Sequence, residues 1–386
     1  MPQNTGNLSG KRFLLAAEYD HDGGTRAYAK GLLDFFHRQG AYVCVVSSLA
    51  TPDPEMSDYA RNYGFDLIPF TSFARQFGLE ESHKTPTVWS LRRHRREITA
   101  FKQLMSDRNL DQATISVGTS GYFLSAAAAT QNPLMIAHGY PHGRRQSLLG
   151  SIFMSRMVPS DLLLISTSNY SNELFRKAWN SRKRGFSAQN IYNTCGPLQQ
   201  TTPFISRTNT VLTVAMVNSH KRPFDWIDIA KQTYEATHFT DLEFKWVGEG
   251  PQRVDALRAT AALGIHYADF LGWQSSVDPF YETAKVYLQT SSIENLSLAT
   301  LDALRYGLPC VVTSAGALPE IVSDGVNGFV IPVGDTSAAA EAVSELLNDA
   351  KLWNRQSVAA REIYKDRFSE EVWERELLEA HLKAPN

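Results

Sequence analysis

The chain has 386 residues, 43% hydrophobic and 20% charged, with a net charge of -2. That is the balance of an ordinary soluble globular protein, long enough for two domains with full cores. It holds no run of eighteen apolar residues and only three widely spaced cysteines (Cys44, Cys195 and Cys310), which argues against a membrane-spanning helix, a disulfide framework and a zinc motif.

The opening Met1-Pro-Gln-Asn-Thr-Gly6 has no apolar leader, so a cytoplasmic chain is expected. Charge is unevenly distributed. Residues 1–200 hold 22 Lys+Arg against 15 Asp+Glu, and residues 201–386 hold the remaining 16 against 25. A basic half and an acidic half suggest two domains with different partners; chance segregation of surface charge is the plainer alternative.

Lys11–Ala17 reads as a buried strand and Glu18–Thr25 as a turn. Ala27–Gln39 has helical spacing, and Ala41–Val46 is the next strand, completing a βαβ unit. The Gly23-Gly24 pair lets the backbone approach a bound group at the helix start. It is not the G-x-G-x-x-G fingerprint, and no acidic residue closes the second strand, so NAD is disfavoured. Asp20-His-Asp22 has the Asp-x-Asp form of a metal motif, but it precedes the first helix and stands alone, so no metal site is expected.

The basic run Arg92-Arg-His-Arg-Arg96 falls on a helix with Ile98, Phe101 and Leu104. A solvated face is the default; contact with anionic lipid headgroups or an anionic acceptor is the sharper alternative, with peripheral placement at the inner face of a membrane. Strands follow at Ile115–Gly118, Leu134–His138 and Asp161–Ser166, with a helix over Tyr122–Thr130. Gly196–Pro203 is polar and proline-rich and reads as an interdomain linker.

A second α/β series comprises the strand Val211–Ala215, the helix Trp226–Ala236, and strands ending at Glu243–Pro251 and Phe270–Trp273. Next is the strand Val286–Thr290, then Glu294, a polar turn, and a helix with Leu298, Leu301 and Leu304 at helical spacing. Gly307 ends that helix, and Leu308–Val312 begins another strand. Glu294 thus sits at a strand-to-helix turn and Asp302 about two turns into the helix. Strand carboxyl ends bind ligands, and a helix start offers N–H groups to phosphate. Gly328–Ile331, Thr336–Leu347 and Glu370–Leu382 close the chain.

These pieces resemble the family 4 glycosyltransferases from about Leu212 to Leu382. Val217-Asn-Ser-His-Lys-Arg-Pro-Phe-Asp225 stands where the family has its Lys-containing loop. Trp246-Val-Gly-Glu-Gly-Pro251 looks like the family's VGxGP strand end, Phe270-Leu-Gly272 like FxG, and Glu294 through Asp302 like E-x7-E. Gly307–Val312, Pro319–Val322 and Asp324–Val330 resemble the closing motifs. The first half matches more loosely, through Gly23-Gly24, His138, and Ser166 followed by Asn193–Gly196.

The resemblance implies an α/β protein of GT-B fold, two tandem Rossmann-like domains with a deep interdomain cleft. It divides the chain into an acceptor domain over 1–203, a donor domain over 204–368 and a returning helix over 369–386. It further implies a retaining hexosyltransferase, independent of metal, moving a sugar from a UDP- or GDP-sugar to a hydroxyl of a glycan, glycolipid or other acceptor. No cofactor and no nucleic-acid partner are expected.

By the same carry-over, Lys221 would pair with the donor diphosphate, and Glu294 would bind donor-sugar hydroxyls. Amides of Asn295, Leu296, Ser297 and Leu298 would cradle the distal phosphate, and Asp302 would take the ribose. Backbone near Leu271, Gly272 and Trp273 would take the base, Gly248 would belong to the donor site, and Gly23 and Gly24 would face the phosphates. His138 would hold a sugar hydroxyl or neighbour the acceptor. Beyond it, Tyr140, Arg144 and Arg145 are candidates to meet an anionic acceptor, with a solvated loop the plainer alternative for the two arginines. Three departures stand out. Met216 occupies the place of the family's Arg, with Arg222 the nearest substitute and Arg26 another. Asp302 replaces a Glu. The turn Glu294-Asn-Leu-Ser297 is bulkier than the family's EGFG. Alternatives in other classes are a sugar-nucleotide epimerase or phosphorylase, and a non-catalytic nucleotide-sugar binder.

Overall fold

The computed structural model describes residues 7–18, 24–49, 53–79, 91–117, 124–139, 159–178, 186–237 and 239–383. They form two compact units, Met1–Ile191 with Glu374–Asn386, and Tyr192–Trp373.

The first unit is built on a seven-stranded sheet: β1 (Arg12–Ala17), β2 (Tyr42–Ser47), β3 (Asp66–Pro69), β4 (Gln112–Val117), β5 (Leu134–Ala137), β6 (Leu163–Ser166) and β7 (Ser187–Asn190). The order is β3-β2-β1-β4-β5-β6-β7, every pairing parallel. Phe13, Leu14, Leu15 and Ala16 are each at most 1% exposed. A parallel sheet covered on both faces requires such unbroken apolar runs in place of alternation. Each large side chain so buried contributes roughly 1.5–3 kcal/mol. β3 and β7 escape a reading by hydrophobic run, because Asp66-Leu-Ile-Pro69 is short and Ser187-Ala-Gln-Asn190 is an exposed-to-half-buried edge strand with one apolar residue.

The second unit has six strands: β8 (Thr210–Val214), β9 (Glu243–Val247), β10 (Ala268–Gly272), β11 (Val286–Gln289), β12 (Cys310–Thr313) and β13 (Gly328–Ile331). Their order is β10-β9-β8-β11-β12-β13, again parallel. Both units are therefore Rossmann-like α/β structures, the two halves of a GT-B fold. In each sheet the order reverses once, between β1 and β4 and between β8 and β11.

Trp226, Trp246 and Phe270 pack together in the core of the second unit, with ring centroids 5.0–5.5 Å apart. Each indole N–H is satisfied, Trp226 Nε1 donating to Thr213 Oγ1 (2.9 Å) and Trp246 Nε1 to Ala215 O (2.8 Å). The eighteen-residue helix Ala350–Arg367 buries Trp353, Ala360 and Tyr364 on the same unit.

The proline-rich stretch Gly196–Pro203 is fastened to the second unit. Cys195 N donates to Tyr364 Oη (3.1 Å), Tyr364 Oη donates to Gly196 O (2.6 Å), and Gln199 N donates to Arg305 O (3.3 Å). These bonds satisfy the irregular backbone, and the division between units falls earlier, after Ile191. The last helix, Glu370–Lys383, opens in the second unit and counts from Glu374 with the first.

Candidate active site

The reversal of strand order between β8 and β11 parts the loops that follow these two strands, and such a switch point is where open α/β sheets bind ligands. After β8 the chain turns at Asn218, whose Oδ1 accepts from His220 N (3.0 Å) and Lys221 N (3.1 Å), an Asx turn. Arg222 follows with φ +54°, in the left-handed region, and the helix Pro223–Thr237 begins. After β11, Thr290 Oγ1 donates to Lys221 O (2.7 Å) and Ser292 N to His220 O (2.7 Å). The two loops are stitched together across the switch point.

This stitching brings Lys221 against Glu294, seventy-three residues away in sequence; Lys221 Nζ donates to Glu294 Oε2 in an ion pair whose side chains are 20% and 13% exposed. Ser291 Oγ donates to the same oxygen (3.1 Å). Oε1 carries no hydrogen bond among the described residues.

Glu294 is also held from behind. Its carbonyl accepts from Ala317 N (3.2 Å), and a Cβ on Gly316, at φ +56°, would stand 1.7 Å from that carbonyl oxygen. Ser297, the N-cap of the helix Leu298–Arg305, accepts from Thr300 N (3.2 Å). The earlier amides, those of Leu298 and Ala299, belong to the first turn, which no intrahelical carbonyl satisfies. Leu296 is buried beside them.

The loops after β9 and β10 form the next part of the edge. A Cβ on Gly248 would meet Ala215 O at 2.1 Å and one on Gly250 would meet Val217 O at 2.3 Å, so both glycines allow close backbone approach to the β8 loop. Gly248 N donates to Gly272 O (2.8 Å). Glu249 Oε1 lies 2.5 Å from where a Cβ of Gly272 would be, and Trp273 beyond it is 72% exposed. Leu271 is half-buried and its carbonyl accepts from Gln274 Nε2 (3.1 Å). A small pocket of about 10 Å³, lined in part by Thr290, Thr313, Asp225 and Asp335, opens at the same carboxyl ends.

The remaining site residues read from the sequence fall elsewhere or have partners already. Asp302 bonds Arg305 (2.9 Å), whose guanidinium also donates to Cys195 O (2.7 Å). Burial pushes the Asp302 carboxyl up to about 6, with Arg305 opposing the shift. Arg222 Nε donates to Asp225 Oδ2 (2.6 Å), with its tip against Gly334. Arg26 is held by Asp53 (3.0 Å) and Glu55 (2.8 Å), both in its own unit. Met216, 59% exposed, supplies no charge to the β8 loop.

In the first unit His138 follows β5; Ser116 Oγ lies 2.9 Å from its Nε2, and Tyr28 packs edge-on with centroids 4.3 Å apart. Burial pushes its pKa down to about 4, so it is a neutral imidazole at pH 7. Gly24 begins the helix Gly24–Arg38. Gly23, Tyr140, Arg144, Arg145 and Asp20-His-Asp22 lie outside the described residues. The basic run sits on the helix Leu91–Arg108, where Arg95, Arg96 and Gln103 line an open groove with Phe77. No helix among the described residues is long and apolar enough to cross a membrane, and none of their His, Cys, Asp and Glu side chains form a group able to hold a metal.

Asn218, Gly250, Ser291 and Gly316 are not among the site residues expected from the sequence, although Asn218 and Gly250 stand inside the motifs quoted above. An Asn three residues before a Lys, and a Ser three before a Glu, were the available signals.

Residues 208–349 match the profile of the glycosyl transferases group 1 family. The match lies within the second unit. The group 1 segment is 32% identical over 134 residues to N-acetyl-alpha-D-glucosaminyl L-malate synthase of Bacillus anthracis, covering 34% of this chain and 35% of that protein. It is 28% identical over 131 residues to the lipopolysaccharide core biosynthesis glycosyltransferase LpsE of Rhizobium meliloti, covering 33% and 38%. The matched segment thus spans little more than a third of these relatives' length. Solved structures extend the likeness of fold to nearly the whole chain. A glycosyltransferase from Rickettsia africae has a TM-score of 0.76 at 13% identity, covering 97% and 98% of the two chains. Anabaena HepE in complex with UDP has a TM-score of 0.73 at 17% identity, covering 96% and 99%.

Proposed function

We propose that this protein is a glycosyltransferase that moves a hexose from a nucleoside diphosphate sugar, UDP- or GDP-linked, to a hydroxyl of a glycan or glycolipid, with retention at the anomeric carbon. The observation that carries the reading is the Lys221–Glu294 pair at the switch point of the second unit. In the unliganded site the two charges neutralise each other. An incoming diphosphate would draw the Lys221 ammonium to itself, as a charge-assisted contact to the leaving group. Glu294 would then be released to accept from sugar hydroxyls beside the reacting carbon. The amides at Leu298 and Ala299 suit the distal phosphate. The UDP complex of HepE supports trying UDP-sugars first.

Retention without a covalent intermediate would follow from holding the acceptor hydroxyl on the face the diphosphate leaves. The cationic charge would come from Lys221 and Arg222, a reading tested by assaying with and without EDTA. Asp302 would serve the ribose only by giving up part of its bond to Arg305. Isothermal titration with UDP, GDP, ADP and their sugars, followed by transfer assays on the tightest donor, tests the proposal. Binding of none of these would defeat it.

A second reading, a nucleotide-sugar binder without turnover, is favoured by Met216 and by the engaged Asp302. Donor binding without hydrolysis or transfer would select it.

A further inference from the structure

Behind Glu294 runs a buried chain of polar side chains. Tyr287, Gln289 and Ser291 alternate along β11 and its exit, so a period of two places them on one face. They are 0%, 1% and 0% exposed. Tyr287 Oη donates to Gln289 Oε1 (2.6 Å), Gln289 Nε2 donates to Ser291 Oγ (2.6 Å), and Ser291 Oγ donates to Glu294 Oε2 (3.1 Å).

Directions in this chain are forced. An ionised carboxylate only accepts, so the single proton of Ser291 points at Glu294 and its lone pair must take the amide N–H of Gln289. The other end of that amide is then an oxygen, matched by the phenol proton of Tyr287. Burial first, and then the neighbouring Cys310 and Glu294, hold that phenol well above its ordinary pKa and so in its donating form. Thr313 Oγ1 fixes the Ser291 backbone from β12 through its carbonyl (2.5 Å).

We propose that Tyr287 and Gln289 are positioning residues that act through Ser291 to orient the Glu294 carboxylate before any ligand arrives. The chain and Lys221 together occupy Oε2, which leaves Oε1 for a sugar hydroxyl. This rests on the reading of Glu294 as a donor-sugar ligand. A polar relay in β11 is a strained choice for a core strand unless every member is satisfied, because a half-satisfied network is worse than an apolar one.

The test separates orientation from simple stability. Gln289→Leu alone removes the short acceptor of the buried Tyr287 phenol, leaving Val214 O at 3.5 Å, and lowers the melting temperature. Tyr287→Phe with Gln289→Leu removes both buried polar groups, and the melting temperature recovers to near wild type. Donor turnover, measured as kcat and KM for transfer or hydrolysis, is expected to stay about tenfold lower in kcat, because the Ser291 hydroxyl loses the Gln289 bond that fixes its rotamer. Ser291→Ala, which leaves the core pair in place, is expected to show the same loss. Recovery of kcat along with stability, or an unchanged kcat in Ser291→Ala, overturns the proposal. Glu294→Gln in the same assay checks the underlying reading. If that variant turns over like wild type, the donor role of Glu294 falls and this proposal with it. An inactive Glu294→Gln beside a fully active double variant removes this proposal alone.

Discussion

Gly316 lies so close behind Glu294 that a Cβ there would stand 1.7 Å from the Glu294 carbonyl oxygen and 2.8 Å from its carbonyl carbon. Backbone at that distance cannot yield as a flexible side chain could, and φ +56° adds strain for any other residue. Gly316→Ala is therefore expected to move the Glu294 turn. Turnover should fall by tens of fold, with a loss of about 1–3 kcal/mol in stability. Steady-state kinetics beside a denaturant titration would check both, and an unchanged kcat would show that Glu294 tolerates the shift.

Asn218 shapes the loop that presents Lys221, through two backbone bonds to one side-chain oxygen. Asn218→Ala leaves those amides to water and loosens the turn. The expected result is a donor Kd raised about three- to thirtyfold, with the melting temperature nearly unchanged, because the turn is half-exposed. Asn218→Asp retains the acceptor and should keep most of the affinity. Titration calorimetry with the best donor distinguishes the pair.

His381 gives the first unit an acid-sensitive point. Its Nδ1 lies 2.8 Å from Leu377 O and its Nε2 3.1 Å from Thr114 Oγ1, among Phe13, Phe35 and Phe36. Burial pushes its pKa down to about 4, so the folded protein binds this proton less readily than the unfolded chain. The sign follows from linkage. Stability is fully present above the unfolded value near 6.5 and is lost as pH falls towards 4, by at most roughly 3 kcal/mol for this group. His138, depressed in the same way, adds to the slope. Melting curves of wild type and His381→Phe between pH 4 and 8 should converge at the acid end. Parallel curves would mean that His381 does not titrate with unfolding.

Much of the fold was legible because parallel sheets need apolar runs long enough to stand out. Leu298, Leu301 and Leu304 marked the helix after β11, and Leu301 and Leu304 are fully buried in it. β7 was not legible, since Ser187-Ala-Gln-Asn190 has no apolar pattern and pairs only at one edge. Within the site, family resemblance supplied Lys221 and Glu294. Their meeting depends on the reversal of strand order, which spacing along the chain does not encode. Gln289 read as one more strand residue, because its role lies in a bond to Ser291 that only the folded strand creates. Gly316 is set by the carbonyl of a residue twenty-two positions earlier, a contact that only the folded chain creates.

Whether Glu294 and Lys221 act on a nucleotide sugar can be measured in one experiment. Transfer or slow hydrolysis of the best-bound donor would be followed with wild type, Glu294→Gln and Lys221→Ala, each first shown to melt within a few degrees of wild type. kcat/KM is expected to fall at least about a hundredfold in both variants, on the scale of losing one preorganised charge contact to a transition state. Turnover by Glu294→Gln at the wild-type rate would contradict that expectation.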